Sequence, residues 1–196
     1  MKQDLLFDDF DENKGKIICG ADEAGRGPLA GPVFAAAVIL PFDFPIEILN
    51  DSKVLSEKKR NYAEKIILEK AIYGIAFSTQ QEIDQINILN ASMLAMKRAY
   101  LKVEEIKKPD IFYVDGNKKP IVDTYTIAVI KGDTKIPEIM AASILAKNAR
   151  DRFMLFAAKK WPVYDFENNK GYPTKKHKQA LYKYGPCPIH RKTFKY

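Results

Sequence analysis

Four acidic residues stand where apolar runs stop. Asp22 and Glu23 close the run that begins at Ile17, Asp115 closes Ile111-Phe112-Tyr113-Val114, and Asp133 follows the run ending at Ile130 by a Lys-Gly step. Carboxylates gathered at the ends of buried strands repel one another and resist ionisation unless something compensates them. Two arrangements answer that problem. Either each acid caps a turn or pairs with a nearby Lys or Arg, or the acids converge and hold divalent cations. Ligation by carboxylate oxygen alone suits Mg²⁺ or Mn²⁺ better than zinc. No Cys or His cluster argues otherwise, because Cys19 and Cys187 lie far apart with no Cys-x-x-Cys spacing. The same spacing gives neither a zinc site nor a disulfide framework.

The elements that must position these acids read as a mixture of strands and helices. Residues 17–22 and 33–40 form short apolar strands, the second with no turn residue and therefore well buried. Gly25, Gly27, Pro28, Gly31 and Pro32 make the link between them a turn-rich loop. Ser56 caps a helix along which Tyr62, Ile66 and Leu68 or Glu69 recur at roughly helical spacing. Residues 71–78 form a strand. Residues 88–103 form a helix with Leu89, Met93, Met96 and Tyr100 on one face. Residues 111–114 and 126–130 are further strands. Pro137 starts a helix that runs through Ala149 towards Phe156. A last helix, 175–184, stops at Gly185-Pro186. Strands alternating with helices give an α/β or mixed sheet.

The chain has 196 residues and a formal charge of +7, which fits one domain of residues 1–196 and is compatible with a polyanionic partner. The charge is unevenly placed. Residues 1–12 form an acidic extension, whereas no acidic side chain follows Glu167. From about 160 to 196 basic residues interleave with Tyr172, Tyr182, Tyr184, Phe194 and Tyr196. That composition suits phosphate neutralisation combined with stacking, or a solvated helix with its aromatic face on the core. The acidic N-terminus does not read as a signal peptide, and no run is apolar enough to span a membrane. A cytoplasmic setting is expected.

The string Gly20-Ala21-Asp22-Glu23-Ala24-Gly25-Arg26-Gly27-Pro28-Leu29-Ala30-Gly31-Pro32-Val33 closely resembles the opening signature of the ribonuclease HII family. The resemblance continues in order. It runs through Asn50-Asp51-Ser52-Lys53, Ile83-Asp84-Gln85-Ile86-Asn87, Val114-Asp115-Gly116-Asn117 and Lys131-Gly132-Asp133. It then takes in Ala141-Ala142-Ser143-Ile144-Leu145-Ala146-Lys147 with Arg150-Asp151, Gly171-Tyr172-Pro173-Thr174 with His177, and His190-Arg191 with Phe194. It implies an RNase H-like fold: a mixed central sheet flanked by helices, with a helical C-terminal part.

By this resemblance Asp22, Glu23, Asp115 and Asp133 are the catalytic and metal-holding acids. In-line hydrolysis of a phosphodiester needs an activated water on one side and a stabilised leaving oxygen on the other. Two divalent ions roughly 3.5–4 Å apart supply both. The expected products are a 3′-hydroxyl and a 5′-phosphate. Gly25, Arg26 and Gly27 resemble the family's substrate-sensing loop, whose glycines let the backbone approach a ribose 2′-hydroxyl. Tyr172 resembles the tyrosine that stacks on the deoxyribose at the RNA–DNA junction. Lys53, Ser143 and Lys147 are implied phosphate contacts, Ser143 and Lys147 sharing one helical face at i and i+4. Arg150 and Asp151 read as a structural ion pair, His177 and His190 as local hydrogen-bonding residues, and Trp161 as packing at a helix end. Asp51 and Asp84 receive no chemistry. Asn148 departs from the family pattern by being more polar than expected.

The expected substrate is an RNA–DNA hybrid or a DNA duplex with embedded ribonucleotides, cut by a monomer; the sequence identifies no protein partner. Ribonuclease HIII, the sister group, carries an extra N-terminal domain and a Glu as its fourth acid, whereas here the signature begins almost at once and the fourth acid is Asp133. Another nuclease of the same fold, or a non-catalytic hybrid-binding protein, stands as the remaining alternative; the presence of all four acids speaks for catalysis.

Overall fold

A computed structural model of the chain describes residues 15–50, 52 and 54–195. The expectations for the acidic residues 1–12 and for Lys53 lie outside them. A five-stranded sheet runs in the order β3-β2-β1-β4-β5. Strand β2 (Val33–Ile39) pairs antiparallel with β1 (Ile18–Ala24) on one side and with β3 (Ile72–Ser78) on the other. Strands β4 (Ile111–Asp115) and β5 (Tyr125–Val129) add in parallel on the other side of β1. The expected mixed sheet is therefore present, and helices cover both of its faces.

Strand β2 explains how they fit. Its sequence, Val-Phe-Ala-Ala-Ala-Val-Ile, is buried at every position. Alternate side chains leave opposite faces of a strand. Accordingly Val33, Ala35 and Ala37 join one apolar cluster with helix α2 (Gln80–Glu104), while Ala36 and Val38 join another with helices α1 (Glu57–Lys70) and α3 (Pro137–Lys160). Small residues let the helix axes come close. Gly20 on β1 shows the limit: a Cβ there would lie 2.4 Å from the Glu138 carbonyl carbon of α3.

Several boundaries differ from the sequence expectation. Strand β1 extends to Ala24, so Asp22 and Glu23 belong to the strand. Helix α2 begins at Gln80 with a capping box in which Thr79 and Glu82 satisfy each other's backbone donors. It is two helical pieces joined at Asn87, whose φ is 65° and whose Oδ1 caps Asn90 N at 3.1 Å. Periodicity located only the second piece. The buried stripe of that piece is Ala91, Ala95, Ala99 and Val103 with Met96 and Tyr100; Met93 is partly buried against it. In α1 the buried residues are Ala63, Glu64 and Ile67, while Tyr62 and Leu68 face solvent. Alanines carry too little hydropathy for their faces to stand out in a pattern read.

The C-terminal part is helical, as expected. Helix α4 (Phe166–Asn169) and helix α5 (Lys175–Tyr184) pack with the end of α3 around Tyr164, Phe166, Leu181 and Ile189. Trp161 ends α3, with the Lys160 ammonium 4.9 Å from its ring centre. Among the described residues no helix is long and apolar enough to cross a membrane. Cys19 and Cys187 are both free and buried.

Candidate active site

Strand register assembles the acids. The last β1–β4 pair is Ala21 with Val114, so one further step along two parallel strands sets Asp22 beside Asp115. Asp115 in turn pairs with Val129 at the end of β5. Lys131, in the left-handed conformation at φ 57° and ψ 42°, then reverses the chain and delivers Asp133 in a short 3₁₀ turn. Asp115 holds that turn, because its Oδ1 accepts from Gly132 N at 2.7 Å. Carboxylate oxygens of Asp22, Asp115 and Asp133 lie within 4.8 Å of one another. They sit at the carboxyl ends of the parallel strands, where open α/β sheets place their ligands.

The triad is poorly matched to water-like solvation. Asp22 and Asp133 are buried. Burial first, then the charges of Glu23 and Asp115, push the Asp22 carboxyl well above the ordinary carboxylate range; a hydrogen bond from Ser143 partly opposes this. Glu23 is also raised, chiefly by burial, with the Arg26 guanidinium at 3.4 Å pulling the other way. Three crowded carboxylates and an all-oxygen donor set fit a hard divalent cation, whose charge would remove the mutual repulsion. Glu23 lies outside the tight triad, since neighbouring strand residues diverge, but it lines the same cleft.

That cleft has a volume of about 480 Å³ and brings together most of the residues singled out in the sequence: Asp22, Glu23, Gly25, Arg26, Gly27, Asp115, Ser143, Lys147 and Tyr172. Gly25 has φ +100°, and a Cβ there would meet Arg150 Nε at 2.1 Å. Tyr172 is half-exposed, and its Cε1 lies 3.6 Å from where a Gly27 Cβ would be. Ser143 and Lys147 do share a face of α3. Ser143 Oγ hydrogen-bonds Ser52 Oγ at 2.8 Å, and Lys147 Nζ donates to Asp151 Oδ1 at 2.7 Å.

The expected Arg150–Asp151 ion pair is not formed. Asp151 pairs with Lys147 and, at 3.6 Å, with Arg60. Arg150 turns inward, donating to the carbonyls of Ala30 and Lys170. Adjacent helical residues point about 100° apart, so neighbours in sequence rarely meet. The cleft also contains Ser52 and Arg60, which the sequence does not mark as site residues. Arg60 donates to Asn148 Oδ1 at 2.6 Å, and Asn148 donates to Glu64 at 2.8 Å. This network explains the polar residue at 148. Nothing local in the sequence distinguishes Arg60 from its solvated neighbours Lys58 and Lys59.

The two histidines make a directional chain beneath Tyr172. Cys187 N–H donates to His190 Nδ1 at 2.9 Å, which leaves the His190 proton on Nε2. That proton faces His177 Nε2 at 3.0 Å, and His177 Nδ1–H donates to the Tyr172 carbonyl at 2.9 Å. The tautomers follow from the network.

The family model described as Ribonuclease HII matches residues 19–196. The chain belongs to the ribonuclease HII family. The ribonuclease HII of Idiomarina loihiensis is 56% identical over 180 residues, covering 91% of this chain and 95% of that protein. The ribonuclease HII of Endomicrobium trichonymphae is 53% identical over 191 residues, covering 96% and 90% respectively. Among solved structures, the ribonuclease H2 of Pyrococcus horikoshii superposes with a TM-score of 0.71 at 26% identity, covering 91% of this chain and 93% of that one. As a member of the ribonuclease HII family the chain is a ribonuclease H-type endonuclease, a metal-dependent hydrolase, and its mixed sheet flanked by helices is the fold of its structural neighbours.

Proposed function

We propose that residues 1–196 form one catalytic unit that hydrolyses the RNA strand of RNA–DNA hybrids. It cuts in particular on the 5′ side of single ribonucleotides embedded in duplex DNA, leaving a 3′-hydroxyl and a 5′-phosphate. The observation that carries this reading is that Asp22 and Asp115 line one cleft with the Gly25–Gly27 loop and Tyr172, while an Asp133 carboxylate oxygen lies within 4.8 Å of theirs. Asp22, Glu23, Asp115 and Asp133 would hold two Mg²⁺ or Mn²⁺ ions, which supply an activated water and a stabilised leaving oxygen.

The remaining steps belong to the chain's own side chains. Lys147, held by Asp151, and Ser143, held by Ser52, present an ammonium and a hydroxyl to the phosphate backbone. Lys53 adds to that grip. The half-exposed Tyr172 ring offers a stacking surface beside Gly27. Gly25, Arg26 and Gly27 bring backbone amides to the 2′-hydroxyl that separates RNA from DNA. The enzyme acts as a cytoplasmic monomer in removing ribonucleotides left by replication.

The test is cleavage of a labelled DNA duplex carrying one ribonucleotide, with Mg²⁺, with Mn²⁺ and with EDTA, beside an all-DNA duplex. A metal-dependent cut 5′ of the ribonucleotide, absent from the all-DNA lane, is the expected result. Cleavage of long hybrids alone would overturn the single-ribonucleotide reading. Binding without cleavage would replace the enzyme by a hybrid-binding module.

A further inference from the structure

We infer that Arg191 is a positioning residue for ribonucleotide recognition: from beneath the Gly25–Gly27 loop it fixes two carbonyls so that the Arg26 and Gly27 amides face the cleft. The inference rests on the substrate reading above and goes beyond it to a residue in the C-terminal tail.

Arg191 is 1% exposed. Its Nη2 donates to Gly25 O at 2.6 Å, Nη1 to Arg26 O at 2.8 Å and Nε to Gly31 O at 2.9 Å. The tail is laid against the loop to bring this about. Arg191 N donates to Leu29 O, Gly31 N donates to Ile189 O, and Ala30 bridges His190 in antiparallel fashion. Beyond Arg191, Asp84 accepts from the amides of Lys192 and Thr193. On its other side the loop rests on Arg150, whose Nε lies where a Gly25 Cβ would be.

Neither buried guanidinium forms a salt bridge with a carboxylate among the described residues. Burial and the charge of Arg150 pull Arg191 down to about 9, so it stays protonated at neutral pH. Asp84 and Asp151 act on these cations only from beyond salt-bridge distance, and burying a cation with no carboxylate in direct contact is expensive. Three charge-assisted bonds to carbonyls offset the penalty and define the loop in return. Arg191 thus reads the backbone, and its fork of donors is what a lysine lacks.

The consequence follows from peptide geometry. Among the described residues no peptide bond is cis. In a trans peptide the C=O and the N–H point in opposite directions. With the carbonyls of Gly25 and Arg26 drawn down to Arg191, the amides of Arg26 and Gly27 point away from it. Among the described residues these two amides have no internal acceptor. Both residues line the cleft. Two preset donors suit an oxygen acceptor, either a ribose 2′-hydroxyl or a phosphate oxygen; the geometry is assigned here to the hydroxyl.

Two measurements test this. The first compares Arg191→Lys and Arg191→Gln with the parent chain. It reads kcat/KM on a duplex with one ribonucleotide, the Kd for the matching all-DNA duplex, and the melting temperature. A displacement of the loop of about 1 Å lowers kcat/KM by about 10²-fold, with the all-DNA Kd unchanged. Arg191→Lys retains the charge and the aliphatic stem and is the decisive variant if Arg191→Gln fails to fold. The second follows the Arg26 and Gly27 amide resonances of the parent chain, which shift on adding the ribonucleotide duplex and not the all-DNA duplex. Unchanged kcat/KM in folded Arg191→Lys would overturn the inference. So would an equal loss on both duplexes, which would assign the donors to phosphate or Arg191 to structure alone. A parent chain that fails to cut the ribonucleotide duplex would instead overturn the substrate reading, and the amide shifts would still report on the loop.

Discussion

At the scale of single residues, the acids carry opposite consequences for activity and for stability. Asp115→Asn removes one carboxylate from a set that stabilises the transition state by several kcal/mol, so cleavage falls by on the order of 10³-fold. Asp22→Asn does the same to activity, yet the metal-free protein should melt at a higher temperature than the parent. The reason lies in the raised Asp22 carboxyl, driven up mainly by burial. A group whose folded pKa is raised stabilises fully below its unfolded pKa, about 3.9, and loses that contribution as pH rises through the folded value. Metal-free protein should therefore lose stability as pH rises above about 4, and added Mg²⁺ or Mn²⁺ should restore more of it at pH 8 than at pH 5. Thermal melts with and without EDTA across that range check the sign. A metal effect independent of pH would deny the triad its role.

Among the connecting elements, two predictions concern the loop and the tail. Gly25→Ala forces a Cβ against Arg150 at a φ of +100°. It should destabilise by about 1–3 kcal/mol and reduce cleavage of the single-ribonucleotide duplex more than binding of all-DNA duplex. Gly27→Ala, with only an ordinary contact to Tyr172, should be milder in stability. In the tail, burial and then the neighbouring His177 pull His190 down to about 4, and burial likewise lowers His177. For a histidine lowered in the folded state, the unfolded chain binds more protons. The contribution to stability is complete above the unfolded pKa near 6.5 and is lost as pH falls from there to about 4. Acid should loosen α4 and α5 and displace Tyr172, whose carbonyl His177 holds. Tyr fluorescence or amide exchange in the tail, followed from pH 7 to pH 4, measures it; replacing His190 by Gln should flatten the profile.

For the molecule as a whole, a net charge of +7 suits a polyanionic duplex, and the number of phosphates its basic side chains neutralise sets the response to salt. Duplex binding should weaken steeply and linearly in log–log form as salt rises. Lys147→Ala should reduce that slope by about one phosphate's worth and weaken ribonucleotide and all-DNA duplexes alike. Tyr172→Ala should leave the slope unchanged and cost about 1–3 kcal/mol in stacking. Salt titrations of the two variants separate neutralisation from stacking within one basic, aromatic surface. If both variants changed the slope equally, Tyr172 would have no stacking role separate from phosphate neutralisation.

The sequence by itself determined the acids, the loop glycines and the sheet class. Each of these is written locally: an apolar run ending in a carboxylate, a turn that demands positive φ, an alternation of strand and helix. The ordered motifs added the family. Only the tertiary structure decided which acids stand close. Parallel register of β1, β4 and β5 converges Asp22, Asp115 and Asp133, while strand alternation sets Glu23 apart. It also decided the partners of charges. Arg150 abandons its sequence neighbour for two distant carbonyls, and Arg191 reaches back 166 residues to Gly25. Helix faces built from alanine, as in α2, were equally illegible, because their burial comes from the close approach of other elements and not from their own hydropathy. Side-chain type is a local property, but the partner that satisfies a buried charge is set by how the whole chain packs.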